Sequence, residues 1–431
     1  MSRLPLLALL GLVTGCSGPA QAQRSGVAIP SSATVAEASW WGALPDDRRD
    51  DGRALQQAVV AAADAGIPLR LSPGVYHVDR AIRLPSRITL RGDGATIRRR
   101  GRRGREQPIL YAPPGTRAAI VEGLTLVGTG STDEARAEAA LIKFEGCRRC
   151  VARDNRLSRS LIGVQLVGGS DNVVRGNAVR DIVGLPGQSS GYGVLANSDG
   201  SGHRITRNVF RDVARHAVYV SSGTSDTEVS HNDIARVHNV ALAVYARGDG
   251  SQNPSRRVSI VGNRVRGVAD RPGRPYQPDC IHLTQWVVDV RIEGNTCEDV
   301  GRHGIAIEGS AAFGDRMPTR TVVTGNVVRQ TGGAGIWMTN ALDTRIEGNE
   351  VTDAATTGIH ASNSPSHYSR GTTIVRNRVR GSGRYGILVG GQGRHTGVTL
   401  EDGQAAGSGR ADTHLESIRR ESVRRLRPGT R

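Results

Sequence analysis

Aromatic residues are scarce in this 431-residue chain, at 3%, and lysine is almost absent, Lys143 being the only one. With so few rings, a core has to be filled by aliphatic side chains, and 56 glycines imply many turns between them. The formal charge of +17 is therefore carried almost wholly by arginine. That surplus fits either a compositional preference for arginine or a polyanionic partner. No recognisable nucleic-acid-binding motif accompanies it, and an export-type leader argues further against nucleic acid. Five cysteines are present, but no second ligand pair follows Cys147 and Cys150 at zinc spacing, so the CRRC segment is weak ground for metal or redox chemistry. The apolar run Leu4 to Val13 is too short to span a bilayer permanently.

What the chain has instead is one repeated phrase: an aliphatic pair, a turn carrying Asn, a second aliphatic stretch, then Gly and a short alternating strand. It reads VVRGNAV…GVLA, VSHNDI…LAVY, RIEGNTC…GIAI and VVTGNVV…GIWM. The turn asparagines are Asn155, Asn177, Asn208, Asn232, Asn263, Asn295, Asn326, Asn349 and Asn377, 22 to 32 residues apart. Such an interval predicts a solenoid rather than a globule around one central core. Stacked on coils ~4.8 Å apart, these side chains would form an internal ladder of amides hydrogen-bonded along the stack. A solenoid grows by adding coils, so residues 50–398 read as one domain. Asp51 is placed to cap a helix from about Gly52 to Ala65, whose Leu55, Val59 and Ala62 would cover the open end of the stack. Residues 23–49 read as a tether, and residues 399–431 as a basic tail, either a terminal helix or disordered.

Residues 1–22 read as an export leader, a basic start followed by the short apolar run. Val13, Thr14 and Gly15 before Cys16 look like a bacterial lipobox, in which the Cys is acylated and becomes the new N-terminus. Ser17 resembles outer-membrane sorting in Gram-negative bacteria. The alternative is ordinary cleavage after Ala20-Gln21-Ala22, giving a free periplasmic or secreted protein. Membrane contact is expected only through the lipid. Disulfides persist in such a compartment, and Cys147 with Cys150 and Cys280 with Cys297 are candidate structural pairs.

The repeat resembles the right-handed parallel β-helix of the pectin lyase-like superfamily, over about residues 50–395. That resemblance implies an all-β stack of about ten coils with an N-terminal capping helix. Function then has to be argued from the side chains on one face.

Each strand after the Gly registers on a buried aliphatic, from Ile142 through Leu242, Ile281 and Ile305 to Ile387. Side chains alternate in a strand, so residues one and three positions later point outward. The first outward column reads Lys143, Gln165, Leu195, Tyr219, Ala243, His282, Ala306, Trp337, His360, Leu388. The second reads Glu145, Val167, Asn197, Ser221, Tyr245, Thr284, Glu308, Thr339, Ser362, Gly390. At the strand mouths sit His216, Asp279 and His303. The central coils thus collect the residue types that bind and transfer protons. Long insertions before Asp279, carrying Arg274 and Tyr276, and after His303 would wall a groove there.

The segment PDCIHL…TCEDVGRHG resembles the Asp-Asp-Cys and Gly-His-Gly pattern of polygalacturonases, although Pro278 and Arg302 replace the first Asp and the first Gly. The match implies Asp279 as an acid/base carboxylate, His303 as its neighbour and a local Cys280–Cys297 disulfide. RHG followed by an acidic residue, with Tyr276 nearby, is also distantly similar to alginate epimerases and lyases. Inverting hydrolysis wants two carboxylates roughly 6.5–9.5 Å apart, whereas Asp279 and Glu308 are staggered by five residues, about 16 Å along the strand. Proton abstraction from a uronate fits better: it needs a base, a cation to neutralise the sugar carboxylate, and an acid. Candidate catalytic residues are Asp279, His282, His303, Glu308, Tyr245 and Arg302. Candidate substrate-binding residues are His216, Tyr219, Arg247, Arg274, Tyr276, Trp337 and His360. The readings are a lyase or epimerase acting on an acidic polysaccharide, a polygalacturonase-like hydrolase, and a non-catalytic polysaccharide-binding surface protein. A monomer is expected, with no cofactor and no motif supporting calcium.

Overall fold

The computed structural model describes residues 29–100, 108–133, 140–185, 190–246, 253–270, 277–310, 316–365, 368–401, 403–415 and 423–426. Three parallel sheets of 15, 13 and 13 strands run the length of the stack. Each coil adds one strand to each sheet in turn, as Val151–Arg153, Arg156–Ser158 and Ile162–Val167 do for the first, second and third sheets.

The asparagines occupy the tight corner between the first and second sheets. From Asn155 to Asn377 each side-chain Nδ2 donates to Oδ1 of the next, at 2.9–3.0 Å, without a break. Each of the nine is at most 1% exposed. The residue before each ladder Asn is left-handed: Gly176, Gly262, Gly294, Gly325 and Gly348 in five coils, and Asp154, Arg207, His231 and Arg376 in the other four. Glycine enters that region without steric cost, which explains the recurring Gly-Asn pair.

Inside, aliphatic residues stack in register, as in Val218, Leu242, Ile281, Ile305, Ile336 and Ile359. All of them are at most 1% exposed. A column of like side chains fills the interior densely without large rings.

The helix α1, Gly52–Asp64, buries Leu55, Ala58, Val59 and Ala62 at the N-terminal end of the core. Asp51 does not cap it. Its carboxylate accepts the N–H groups of Leu44 and His77 at 3.2 and 2.9 Å, and the Gly52 N–H goes to Asp50 Oδ1 at 3.2 Å. The tether is shorter than expected too, because Ala36–Glu37 pairs with Leu69–Arg70 and Trp40 and Trp41 pack on the core. At the other end, Gln404–Ala406, Ala411–Leu415 and Val423–Leu426 each join a sheet, so coils continue past residue 398 into the expected tail. Cys147–Cys150 and Cys280–Cys297 are disulfides. The leader and Cys16 lie outside the described residues.

Candidate functional site

The third sheet presents both outward columns in the expected register. Tyr219, Ala243, His282, Ala306, Trp337 and His360 pair in line, and so do Tyr245, Thr284, Glu308 and Thr339. The chemistry gathers where Ile281–Gln285 and Ile305–Glu308 lie side by side.

Asp279, just before the first of these strands, is completely buried. Its Oδ1 accepts Arg302 Nε at 2.8 Å and the His303 N–H at 2.9 Å, and its Oδ2 bonds a second Arg302 nitrogen and His282 Nδ1, the latter at 3.0 Å. Burial works to raise its pKa, but the bonds from Arg302 and His282 outweigh that and hold it at about 2. It is therefore ionised, with both oxygens engaged and no surface to offer a substrate. This corrects the expectation of an acid/base carboxylate at this position.

His282 bridges the coils. Its Nε2 meets Glu308 Oε2 at 3.1 Å, and the residue is 4% exposed. Burial opposes charge on the ring, yet hydrogen bonds to Asp279 and Glu308 raise its pKa above the ordinary value. Glu308 mirrors this: burial raises its pKa, but the bond to His282 outweighs it and the net shift is downward. His282 thus sits between two carboxylates that favour its charged form, of which Glu308, with its side chain 25% exposed, is the one that reaches solvent. The 16 Å stagger did not separate them. Asp279 leans along its strand and Glu308 reaches across from the next coil, so both touch one ring.

Arg302 is committed to Asp279 and lies 5.8 Å from the Trp337 ring centroid, which corrects its expected place among the catalytic residues. His303 stacks on Trp337 at 4.9 Å and accepts the Ala334 N–H on Nδ1 at 3.0 Å. Burial pushes its pKa down to about 4, so it is neutral with its proton on Nε2. His360 pairs with Trp337 one coil further on.

On the other side of His282 a groove of about 590 Å³ opens over Tyr192, Arg215, His216, Tyr219 and Tyr245. Tyr192 stacks on both His216 and Tyr219, at 5.5 and 5.4 Å, and Tyr219 lies 6.3 Å from Tyr245. His216 Nδ1 donates to the Val240 carbonyl at 3.0 Å, and burial takes its pKa to about 3, so it is a neutral wall residue. Burial also raises the Tyr219 pKa, with Tyr192 and Tyr245 adding to the effect. Arg215 caps the row, donating to the Tyr192 hydroxyl at 3.2 Å.

Sequence reasoning missed Tyr192, Arg215, Asn239 and Gln277, all of which line this groove. Tyr192 pairs in register with His216, so carrying the strand-mouth column back one coil would have found it. Arg247, Arg274 and Tyr276 lie outside the described residues. Among those described, no group of three or more His, Cys, Asp or Glu could hold a metal ion.

A three-sheeted solenoid with a polar groove on one sheet defines a β-helix protein. The chain matches the model for the right handed beta helix region over residues 135–265, 188–368 and 249–409, and it belongs to that family. Among solved structures it is similar to PfbA, a surface adhesin of Streptococcus pneumoniae, at TM-score 0.58 and 14% identity, covering 90% of this chain and 91% of that one. It is also similar to the catalytic unit of a GH87 alpha-1,3-glucanase from Streptomyces thermodiastaticus, at TM-score 0.56 and 13% identity, covering 93% and 71%. A third is the N-terminal fragment of bacteriophage phi29 gene product 12, at TM-score 0.58 and 14% identity, covering 88% and 70%. At these identities the likeness is one of fold. No curated protein matches the chain in sequence.

Proposed function

We propose that this is an exported, carbohydrate-active β-helix protein that takes an acidic polysaccharide across the third-sheet groove and removes the proton next to a uronate carboxylate. The observation that carries this reading is the hydrogen-bonded chain Asp279–His282–Glu308 at the end of a tyrosine-walled groove. Glu308 is the base: ionised and partly exposed, it accepts the proton from the carbon beside the sugar carboxylate. The positive charge on His282 offsets the charge that develops on that carboxylate. Asp279 positions His282 and favours its charged form, and Arg302 holds Asp279 ionised. Tyr245, one coil away in the same groove, supplies a proton. In elimination the bond to the leaving sugar oxygen breaks, a carbon–carbon double bond forms, and the oxygen takes the proton. In epimerisation the proton returns to the opposite face of the carbon. Tyr192 and Tyr219 offer rings for sugar faces. A glucanase with this fold supports the carbohydrate reading and a surface adhesin with this fold the exported one, and lipid attachment at Cys16 is part of the proposal.

The second reading is polysaccharide binding without turnover. What favours it is that both nitrogens of His282 are engaged, which ties the ring into the wall.

Incubation with a panel of uronate polymers tests both. New double-bond absorbance means elimination, and solvent-hydrogen exchange without it means epimerisation. Reducing ends without absorbance would replace the proposal with hydrolysis, and binding alone would leave the second reading.

A further inference from the structure

The outward face of the third sheet continues past His282 on the side away from the tyrosines. In the first outward column His282, Ala306 and Trp337 pair in line, and in the second Thr284, Glu308 and Thr339 do. Trp337 therefore stands one coil beyond Glu308 and two beyond His282, the latter about 10 Å between backbones. The only side chain between His282 and Trp337 in their column is the methyl group of Ala306, and no part of that residue reaches solvent. The larger side chains around it close over the methyl, so the floor runs unbroken from Glu308 to the indole.

The indole is fixed in place. His303 lies against it, with ring centroids 4.9 Å apart and planes 19° from parallel, and the Arg302 guanidinium stands 5.8 Å from its centroid. Both partners are themselves anchored. His303 Nδ1 accepts the Ala334 N–H at 3.0 Å, and Asp279 Oδ1 accepts the His303 N–H at 2.9 Å and Arg302 Nε at 2.8 Å. The carboxylate that orients His282 thus orients the indole as well. With His303 stacked on it, Trp337 is still partly exposed. The core has no need of this ring, because its own columns are aliphatic. A rigid aromatic surface left open beside an ionised carboxylate suits the apolar face of a sugar, and a ring already held still loses little entropy on binding.

Its position bears on how a polymer is attacked. From the coil of Tyr192 to that of Trp337 is five pairing steps, or about 24 Å along the stack. Glu308 lies on the fourth of them. Tyr192, Tyr219 and Tyr245 are on its N-terminal side and Trp337 is on its C-terminal side, so aromatic surface flanks the base in both directions. A chain end bound at Glu308 would meet only one of these two surfaces, whereas a chain that runs through meets both. Resting on the function proposed above, we propose that Trp337, backed by His303, is a sugar-binding platform beyond the reacting uronate, so that the polymer is held on both sides of Glu308 and attacked within the chain rather than from an end.

Calorimetry in a Glu308→Gln background reads binding without turnover, using trimers and octamers cut from alginate and from polygalacturonate. Adding Trp337→Ala should lower octamer affinity about tenfold and leave trimer affinity, which the tyrosine side supplies, unchanged. Trp337→Phe should retain most of the octamer affinity. Unchanged octamer affinity in the Ala variant would overturn the platform. An equal loss for trimer and octamer would overturn it too, since the indole would then act only by propping His303 and Asp279. With Glu308 restored, elimination should shorten a long polymer from the first turnovers, read by light scattering, and epimerisation should place inverted units away from chain ends, read by proton NMR. Products confined to chain ends, at a rate that Trp337→Ala does not change, would sink the platform and leave the reaction standing. Octamer binding that depends on Trp337 in a protein that turns over neither polymer would sink the reaction and leave the platform standing.

Discussion

His282 Nε2 lies 3.1 Å from Glu308 Oε2, across adjacent coils at a stagger of two residues. Strand pairing alone leaves these backbones too far apart for contact, and only two side chains leaning toward each other close the distance. The pair couples a buried charge to a carboxylate that reaches solvent, which is what proton transfer at a groove requires.

Replacing Glu308 with Gln keeps the shape and removes the base. Turnover of a uronate polymer should fall by about two to four orders of magnitude, while polymer affinity stays close to wild type. The His282 pKa should fall as well, because one of the carboxylates that raises it is gone. A rate unchanged by this substitution would move the chemistry elsewhere.

The buried network also predicts how stability depends on pH. The pKa of His282 is raised by folding, so its contribution is full below the ordinary histidine value of about 6.5 and is lost as pH rises through the folded value. Asp279 is depressed to about 2, so its contribution is full above about 4 and is lost as pH falls toward the folded value. Melting temperature should therefore be highest between these limits. The substitution His282→Gln should flatten the alkaline side, and a decline that persists unchanged in the variant would contradict the assignment.

Arg302→Ala leaves Asp279 buried with a single cationic partner. A loss of about 2–4 kcal/mol is expected in denaturant unfolding, with Arg302→Lys recovering only part of it because the two-pronged contact is lost.

The ladder should fail differently. Asn295 donates to the Ile260 carbonyl and to Asn326, both at 2.9 Å, and accepts from the backbone and side chain of Asn263. Asn295→Ala orphans polar groups on both neighbouring coils and should cost about 2–4 kcal/mol. Affinity for polymer in the protein that remains folded should be near wild type. A milder cost than that of an exposed substitution would mean that water replaces the amide.

Removing the Tyr192 ring unstacks His216 and Tyr219 together. Tyr192→Ala should weaken polymer binding by about tenfold, whereas Tyr192→Phe should retain most of it. Binding in wild type should also fall as salt rises, since the arginines act partly through screened charge. Equal losses in the Ala and Phe variants would assign the effect to the hydroxyl that Arg215 bonds.

The sequence by itself determined the coil. Asn turns recur at intervals that only a stack can satisfy, and strand alternation followed from one buried aliphatic per coil gives both outward columns, with Tyr219, His282, Trp337 and Glu308 in their right places. It also marked the central coils as the candidate site, because the columns there change from ordinary residues to His, Tyr and Glu. What it did not contain was the direction in which those side chains lean. Backbone stagger put Asp279 and Glu308 far apart, while the tertiary structure brings both to one imidazole, and it turns Arg302 inward to Asp279 instead of outward to a ligand. The helix over the N-terminal end was legible, but the details of the ends were not: Asp50 rather than Asp51 meets the helix N-terminus, and residues near 36 and beyond 398 join sheets, because an edge strand takes whatever backbone fits it and leaves little pattern in sequence.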